Sequence, residues 1–452
     1  MEEGYKNIND NCVNNSNCIV TKYYSKDNPE NILLEKLEKQ SINKIDASQY
    51  YNKYRKCSER VQSSIYFLRS FNKFIKKLLI NKSVLKLSCS EYSVLDLCCG
   101  KAGDFKSFYK TNAKLYVGAD MSSVSLEMAK NRIKDIQDKE NNLVNYSNLS
   151  SSTNKNSYNS NYKCKCYLFK QNISDPNEKL TDKIPNYIKF DLVSCQMALH
   201  YHFTSEINVK HFMQIVTEKL NYGGLFICSI IDDEILIKRL RDKKRLNNNN
   251  LNEELFKNIN FDDNKNIKFE YNINANNKEK SNNDTKSTKI DNSYSSRNNE
   301  LCFGNDYYSV KFENNYIDIN NPYNIKYGFY LEDSIDARET DGQITYVEEY
   351  LIIFDLFVKI CKDFDLHLIE KCNFIDYYNK MRKEKNNLEL FKKFESKFNI
   401  SKYTNQLVVS ELYQVAVFQK GINNIKEEKI YTSVLENFKN EIVNNNSIEM
   451  LN

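Results

Sequence analysis

No stretch of this sequence approaches the roughly 18 apolar residues that a membrane-crossing helix needs, so no span is expected. The opening, Met1 to Asn11, is polar and lacks the apolar core of a secretory signal, and the expectation is a soluble intracellular protein. Charge of one sign is also in short supply, because 65 Lys and Arg against 60 Asp and Glu leave only +5. That balance excludes a histone-like polybasic binder and requires any basic site to be local. Histidine is rare, limited to His200, His202, His211 and His367, and none stands at zinc-finger spacing from the CxC pair Cys164 and Cys166. No metal is therefore expected. The 13 cysteines are an odd and scattered set, with Cys98 and Cys99 adjacent at an apolar strand end. They fit a reducing compartment, not a disulfide framework. No internal repeat is present.

What is there is ample apolar material: 40% of 452 residues are hydrophobic and 13% aromatic, enough for one large core or two smaller ones. Two tracts depart from this composition, Asn141 to Asn161 and Leu246 to about Glu300, both rich in Asn, Ser and Lys. Such segments cannot offset the entropy of ordering and are expected to be loops or disordered inserts. The first 45 residues read as a polar arm and residues 426–452 as a polar tail, leaving one domain over 46–425.

Within that domain, Ile65, Leu68, Phe71, Phe74, Ile75, Leu78 and Leu79 recur at helical spacing and predict a helix over Ser58 to Ile80. Short apolar runs follow at Ser93–Cys98, Lys114–Ala119, Cys166–Lys170, Phe190–Cys195 and Leu225–Ile230. Helical segments such as Val124–Gln137 and Val209–Leu220 separate them, and a helix Val347–Phe364 precedes two more strands near Leu366–Cys372 and Leu412–Gln419. This alternation predicts an α/β fold with a mostly parallel sheet covered on both faces.

Open parallel sheets bind ligands beyond the carboxyl ends of their strands. The first strand runs through Val94-Leu95-Asp96-Leu97 into Cys98-Cys99-Gly100-Lys101-Ala102-Gly103-Asp104, a glycine-bearing turn before a helix. Gly100 and Gly103 allow close approach of backbone to a ligand. The second strand ends at Asp120, where a carboxylate can accept both hydroxyls of a ribose. A nucleotide cofactor is implied, but GxGxxG is missing, which argues against a dinucleotide.

The pattern D-x-x-x-G-x-x-G-D instead resembles the first motif of class I S-adenosylmethionine-dependent methyltransferases. Further segments resemble one branch of them, the eukaryotic mRNA cap guanine-N7 methyltransferases. These are Tyr51-Asn52, Arg60, Ser63 and the helix from Leu68 to Lys76; Cys195-Gln196-Met197-Ala198-Leu199-His200-Tyr201; Tyr327 to Leu331; Glu349 to Leu351; and Leu412 to Phe418. The motifs run in the family's order from Tyr50 to Lys420.

The resemblance implies a Rossmann-like mixed sheet of about seven strands, S-adenosylmethionine as methyl donor and 5'-capped RNA as substrate. It implies cofactor contacts from Lys76, Cys98, Gly100, Asp120, Gln196 and Tyr201. The adenine-reading residue falls within Lys170 to Asp175, with the alignment open by a residue or two. For the cap, it implies Lys101, Lys106 and Arg132 toward the triphosphate, and His200, Glu349 and Tyr413 around the guanosine, with Asn72 and Lys73 on the cap side. No acid, base or nucleophile is required, because guanine N7 already carries a lone pair. The sequence departs from the family at Cys98, which replaces a glycine, and at Met197, Tyr50 and Lys73. An insertion near Ala337 to Tyr346 precedes Glu349.

The resemblance also implies the nucleus, and Arg239 to Arg245 is a basic cluster that fits either an import signal or a solvated helix face. Association with RNA polymerase or other capping enzymes stays open. Two rivals remain: a methyltransferase acting on another RNA or a small molecule, and a silent methyltransferase-like module that binds RNA.

Overall fold

The computed structural model describes residues 61–87, 89–150, 164–178, 180, 183–247, 301–312, 321–333, 346–421 and 449–451. The expected arm, the tail through residue 448, most of both Asn-rich tracts, the insertion before Tyr346, and Tyr51, Asn52 and Arg60 lie outside these residues.

The first helix, α1 (Tyr66–Leu87), contains no glycine or proline and buries Phe67, Phe71, Phe74, Ile75 and Leu78 along one face. It runs seven residues past the expected end at Ile80, because Ser83 and Val84 are buried and continue that face. Its aromatic stripe packs on aromatics from far along the chain: Phe74 stacks on Phe394 at 4.3 Å, and Phe67 on Tyr403 at 4.1 Å. Each buried ring contributes roughly 1.5 to 3 kcal/mol through removal of apolar surface from water.

The chain then alternates β1 (Tyr92–Leu97), α2 (Phe105–Lys110), β2 (Ala113–Asp120), α3 (Ser123–Ser150), β3 (Lys165–Lys170), β4 (Phe190–Gln196), a 3-10 turn (Leu199–His202), α4 (Glu206–Lys219) and β5 (Leu220–Ile231). Helix α3 corrects one expectation. It extends through residues 141–150 of the first Asn-rich tract, because no glycine or proline interrupts Ser123 to Ser150.

After α5 (Asp233–Asn247) come β6 (Leu301–Asn305), β7 (Tyr308–Phe312), β8 (Lys326–Leu331) and β9 (Val347–Tyr350), then α6 (Phe354–Asp363), β10 (Leu366–Asn373), α7 (Phe374–Arg382), α8 (Leu388–Glu395), α9 (Thr404–Ser410), β11 (Tyr413–Lys420) and β12 (Glu449–Leu451). The expected helix Val347–Phe364 is thus a strand followed by a shorter helix.

The main sheet has the order β10-β11-β5-β4-β1-β2-β3-β12. Strands β1 to β5 pair in parallel, whereas β11 runs antiparallel between β5 and β10, and β12 pairs antiparallel with β3. The seven strands expected are present, with the short β12 added at one edge. Alternation sorts the β1 side chains: Tyr92 and Val94 join the core on the α1 face, and Leu95 and Leu97 the core on the other face. Because β1 lies between β2 and β4, chain order reverses beside it, and a crevice opens at the carboxyl ends.

The second sheet, β6-β7-β8-β9, is an antiparallel meander. Tyr308, Val310 and Phe312 of β7 and Tyr327 and Phe329 of β8 face inward. On β9 the buried pair is Val347 and Glu349, so a carboxylate occupies an inward position where the period calls for an apolar side chain.

Candidate active site

The loop after β1 is built from alternating left-handed residues: Cys98 at φ 56°, Gly100 at φ 52° and Ala102 at φ 50°. Only the glycine takes this conformation freely, so Cys98 and Ala102 hold local strain of about 1 kcal/mol or more each. A side-chain carbon at Gly100 would meet nothing within 4 Å, so its backbone faces open space. Gly118 opposite is needed for the reverse reason: a Cβ there would stand 2.9 Å from Cys99 Sγ.

Asp120 ends β2 against this loop. Its Oδ2 accepts from the Gly100 amide at 2.8 Å and its Oδ1 from the Ser122 amide at 2.9 Å. Burial raises its pKa, and the two amides oppose that shift. An ionised carboxylate accommodates about four hydrogen bonds, so two acceptor positions remain for a diol.

Lys76 of α1 reaches the end of the same loop, donating to Asp104 Oδ2 at 2.7 Å in a largely buried ion pair. The other Asp104 oxygen, Oδ1, is buried without a hydrogen-bond partner. At the end of β4, Gln196 donates weakly to Ser194 Oγ at 3.2 Å and to the Ile227 carbonyl at 3.4 Å, and its Oε1 is likewise buried and unpartnered. Unpaired buried acceptors are costly, and two beside one open loop mark a place for a donor-bearing ligand.

His200 and Tyr201 occupy the 3-10 turn after β4, their rings 4.1 Å apart. His200 is buried, which lowers its pKa, while Glu349 pulls the other way. Its Nε2 lies 3.6 Å from Glu349 Oε1, and the Tyr327 hydroxyl donates to Glu349 Oε2 at 2.7 Å. The second sheet therefore delivers Tyr327 and Glu349 to the rim of the first.

Other expected residues fall around this centre. Arg132 lies over Gly103, where a Cβ would be 3.8 Å from its Nη1. Lys106 is exposed on α2, while Lys101 and Lys73 are half-buried. Asn72 is turned toward α9, where its Oδ1 accepts from Ser410 Oγ at 2.7 Å. Tyr413 begins β11 opposite Ile231 at the end of β5, with its ring against Phe374. In the segment left open for adenine, Gln171 donates to the Glu178 carbonyl, and Asp175 accepts from the Asn177 amide.

Two participants escape sequence reasoning. Asp104 closes the D-x-x-x-G-x-x-G-D pattern, so its place was visible there, but its pairing with Lys76 was not. Tyr327 opens the aromatic motif Tyr327 to Leu331, yet only the β8–β9 register, Tyr327 opposite Glu349, gives it a partner.

The basic cluster from Arg239 lies on α5. The Arg239 guanidinium donates to the Tyr308 hydroxyl and pairs with Glu411, so its first residue serves the fold. Among the described residues, no helix is long and apolar enough to cross a membrane.

A family model described as the mRNA (guanine-N(7))-methyltransferase domain matches residues 34–276 and 285–422. The mRNA cap guanine-N(7) methyltransferase of Caenorhabditis briggsae is 31% identical over 202 residues, which cover 44% of this chain and 48% of that protein. The protein of the same description from Schizosaccharomyces pombe is 27% identical over 321 residues, covering 71% of this chain and 65% of that one. That from Meyerozyma guilliermondii is 26% identical over 354 residues, covering 76% and 50%. The chain spans about half the length of the first of these relatives.

Proposed function

The chain belongs to the mRNA cap guanine-N7 methyltransferase family, and from that premise we propose that it transfers the methyl group of S-adenosylmethionine to N7 of the guanine in a GpppN cap. The observation that carries this reading is the meeting of two unlike half-sites at the carboxyl ends of the central strands. A glycine loop braced by Asp120 stands at the ends of β1 and β2, and a buried His200-Glu349-Tyr327 group at the end of β4.

The residues fit the methyl donor. The Asp120 carboxylate suits a ribose diol, the unpartnered oxygens of Gln196 and Asp104 suit a donor such as an ammonium, and the open face at Gly100 admits it. Lys76 acts by holding Asp104 in position, and Cys98 and Tyr201 complete the pocket wall. When bound, S-adenosylmethionine supplies a methyl group on a cationic sulfonium.

For the cap, Glu349 accepts from the guanine Watson–Crick edge, and Tyr327 fixes which way that carboxylate points. His200 is kept neutral by burial, so it offers a plane and a hydrogen bond without adding positive charge near a base that becomes cationic. Tyr413 adds aromatic area, Asn72 and Lys73 line the cap side, and Lys101, Lys106 and Arg132 meet the triphosphate. The reaction requires alignment and exclusion of water, which can lower the barrier by several kcal/mol. No side chain needs to move a proton.

Capped RNA is then the partner, the nucleus the place of action, and RNA polymerase or other capping enzymes the neighbours. The test is methyl transfer from labelled S-adenosylmethionine to GpppN-RNA, with uncapped RNA and N7-methylated caps as controls. Transfer to the unmethylated cap alone supports the reading. Binding of the donor without transfer favours another substrate, and no donor binding favours a silent RNA-binding module.

A further inference from the structure

Cys98, Cys195 and His202 come from the loop after β1, the end of β4 and the turn after β4, and their side chains converge beneath the glycine loop. The two sulfurs and one ring nitrogen all lie within 4.8 Å of one another. Cys98 Sγ is 3.5 Å from His202 Nε2. On its far side, His202 Nδ1 is 2.8 Å from Ser174 Oγ, in the loop after β3.

We propose that these three side chains bind one thiophilic cation of the zinc class. A tetrahedral zinc with ordinary bond lengths has sulfur–nitrogen edges of about 3.5 Å and sulfur–sulfur edges of about 3.8 Å, so the contact between Cys98 Sγ and His202 Nε2 already matches one edge and the remaining atoms draw in from within 4.8 Å. The donor set of two thiols and one imidazole selects zinc over magnesium or calcium, which take oxygen ligands. Ser174 provides the outer hydrogen bond that such histidines use to fix ring and tautomer: donation from Nδ1 leaves the Nε2 lone pair facing the sulfurs. Cys195 and His202 are fully enclosed, whereas Cys98 is half-buried, so the site opens on the Cys98 side and a water there would be the fourth ligand. Without the ion, a thiol–imidazole hydrogen bond occupies the same 3.5 Å contact, so the site is preformed.

Binding breaks two S–H bonds, forms two metal–sulfur bonds and one metal–nitrogen bond, and releases two protons to solvent; no electron is transferred. The ion would tie the β1 loop, the end of β4 and, through Ser174, the loop after β3 into one unit. These are three loops of the crevice, and Cys98 is shared with the wall of the proposed donor pocket, but the observations behind the metal site do not depend on the methyl-transfer reading. Spacing rules could not reveal it, because Cys98 stands about a hundred residues before the Cys195–His202 stretch, and the CxC pair that looks more like a metal motif has Cys166 Sγ donating to Cys164.

The experiment measures zinc in the dialysed full chain and records its zinc X-ray absorption spectrum. The expected result is one zinc per chain, with two sulfurs at about 2.3 Å and an imidazole nitrogen at about 2.0 Å. Cys195→Ser and His202→Gln should lower zinc content at least tenfold, while the double substitution Cys164→Ser, Cys166→Ser should leave it intact. A chain free of zinc at micromolar metal, a spectrum without imidazole, or zinc retained in folded cluster variants would overturn the proposal. Should the variants not fold, the wild-type spectrum decides. Methyl transfer enters none of these readouts, so the two proposals fail separately.

Discussion

Glu349 and His200 face each other across the junction of the two sheets, with Oε1 3.6 Å from Nε2 and both side chains buried. Neither belongs to the other's element: His200 follows β4 of the parallel sheet, and Glu349 sits on β9 of the meander. A buried acid at an inward strand position costs stability unless it is paired. Here the Tyr327 hydroxyl supplies the hydrogen bond, and one oxygen is left directed at the histidine. An arrangement this costly is the kind that a binding site retains.

Glu349→Gln keeps the size of the side chain and removes its charge. It should lower kcat/KM for capped RNA about tenfold or more, as expected for loss of a charged hydrogen bond of roughly 1.5 to 3 kcal/mol. Affinity for S-adenosylmethionine, measured by calorimetry, should stay within about twofold. Tyr327→Phe should act in the same direction but less, because the carboxylate survives and loses only its orientation. A parallel loss of donor affinity in either variant would contradict the division into two half-sites.

Asp120→Asn tests the other half. One oxygen that braces Gly100 remains, but the charge that would take a diol is lost. The donor Kd should rise about 10- to 100-fold, equivalent to roughly 1.4 to 2.7 kcal/mol, while capped RNA binds the donor-free protein as before. Unchanged calorimetric affinity would remove Asp120 from the site.

How much of this was legible depends on period. Strands β1 to β4 and β11 are short, mostly apolar runs, β10 opens on one before Glu370 and Lys371, and the positions of all six follow from the sequence to within a residue or two. Strand β5 starts five residues earlier than its apolar run, because Asn221 and the glycines Gly223 and Gly224 mask its first part. The meander was illegible because β7 and β9 alternate buried and half-buried positions over only four or five residues, without the apolar runs of the main sheet. On β9 the alternation of Val347 and Glu349 lasts four residues before the helical pattern from Phe354 takes over, and the two merge into one apparent helix. The site residues were legible only through linked motifs. Lys76 and Asp104 lie on different elements, and local spacing cannot say that they touch.

That pair yields a stability prediction. Lys76→Met leaves the Asp104 carboxylate largely buried without its counter-charge, and should destabilise the fold by about 3 kcal/mol, the usual outcome when one partner of a buried pair is removed. Adding Asp104→Asn removes the stranded charge and should restore more than half of the loss. The check is urea unfolding of both variants. A double variant no more stable than the single would show that the lysine acts by packing alone.

Acidity offers a separate probe. Asp233, at the start of α5, is buried, and burial pushes its pKa up to about 7; Asp232 and Glu234 push the same way, against the Phe354 amide and Lys371. Its Oδ2 accepts from that amide at 3.1 Å, and its Oδ1 has no hydrogen-bond partner. In the unfolded chain such a group titrates near 4, so between roughly pH 4 and 7 the folded state binds more protons than the unfolded state. Stability from this group is therefore present in acid and is lost as pH rises toward the folded value and beyond. Asp233→Asn can keep the bond to Phe354 and cannot titrate. From pH 5 to pH 8 the wild type should lose on the order of 2 kcal/mol relative to the variant, since other groups common to both cancel. Urea midpoints at the two pH values decide it: equal differences at both would mean that Asp233 is ionised throughout, with Lys371 as an effective partner.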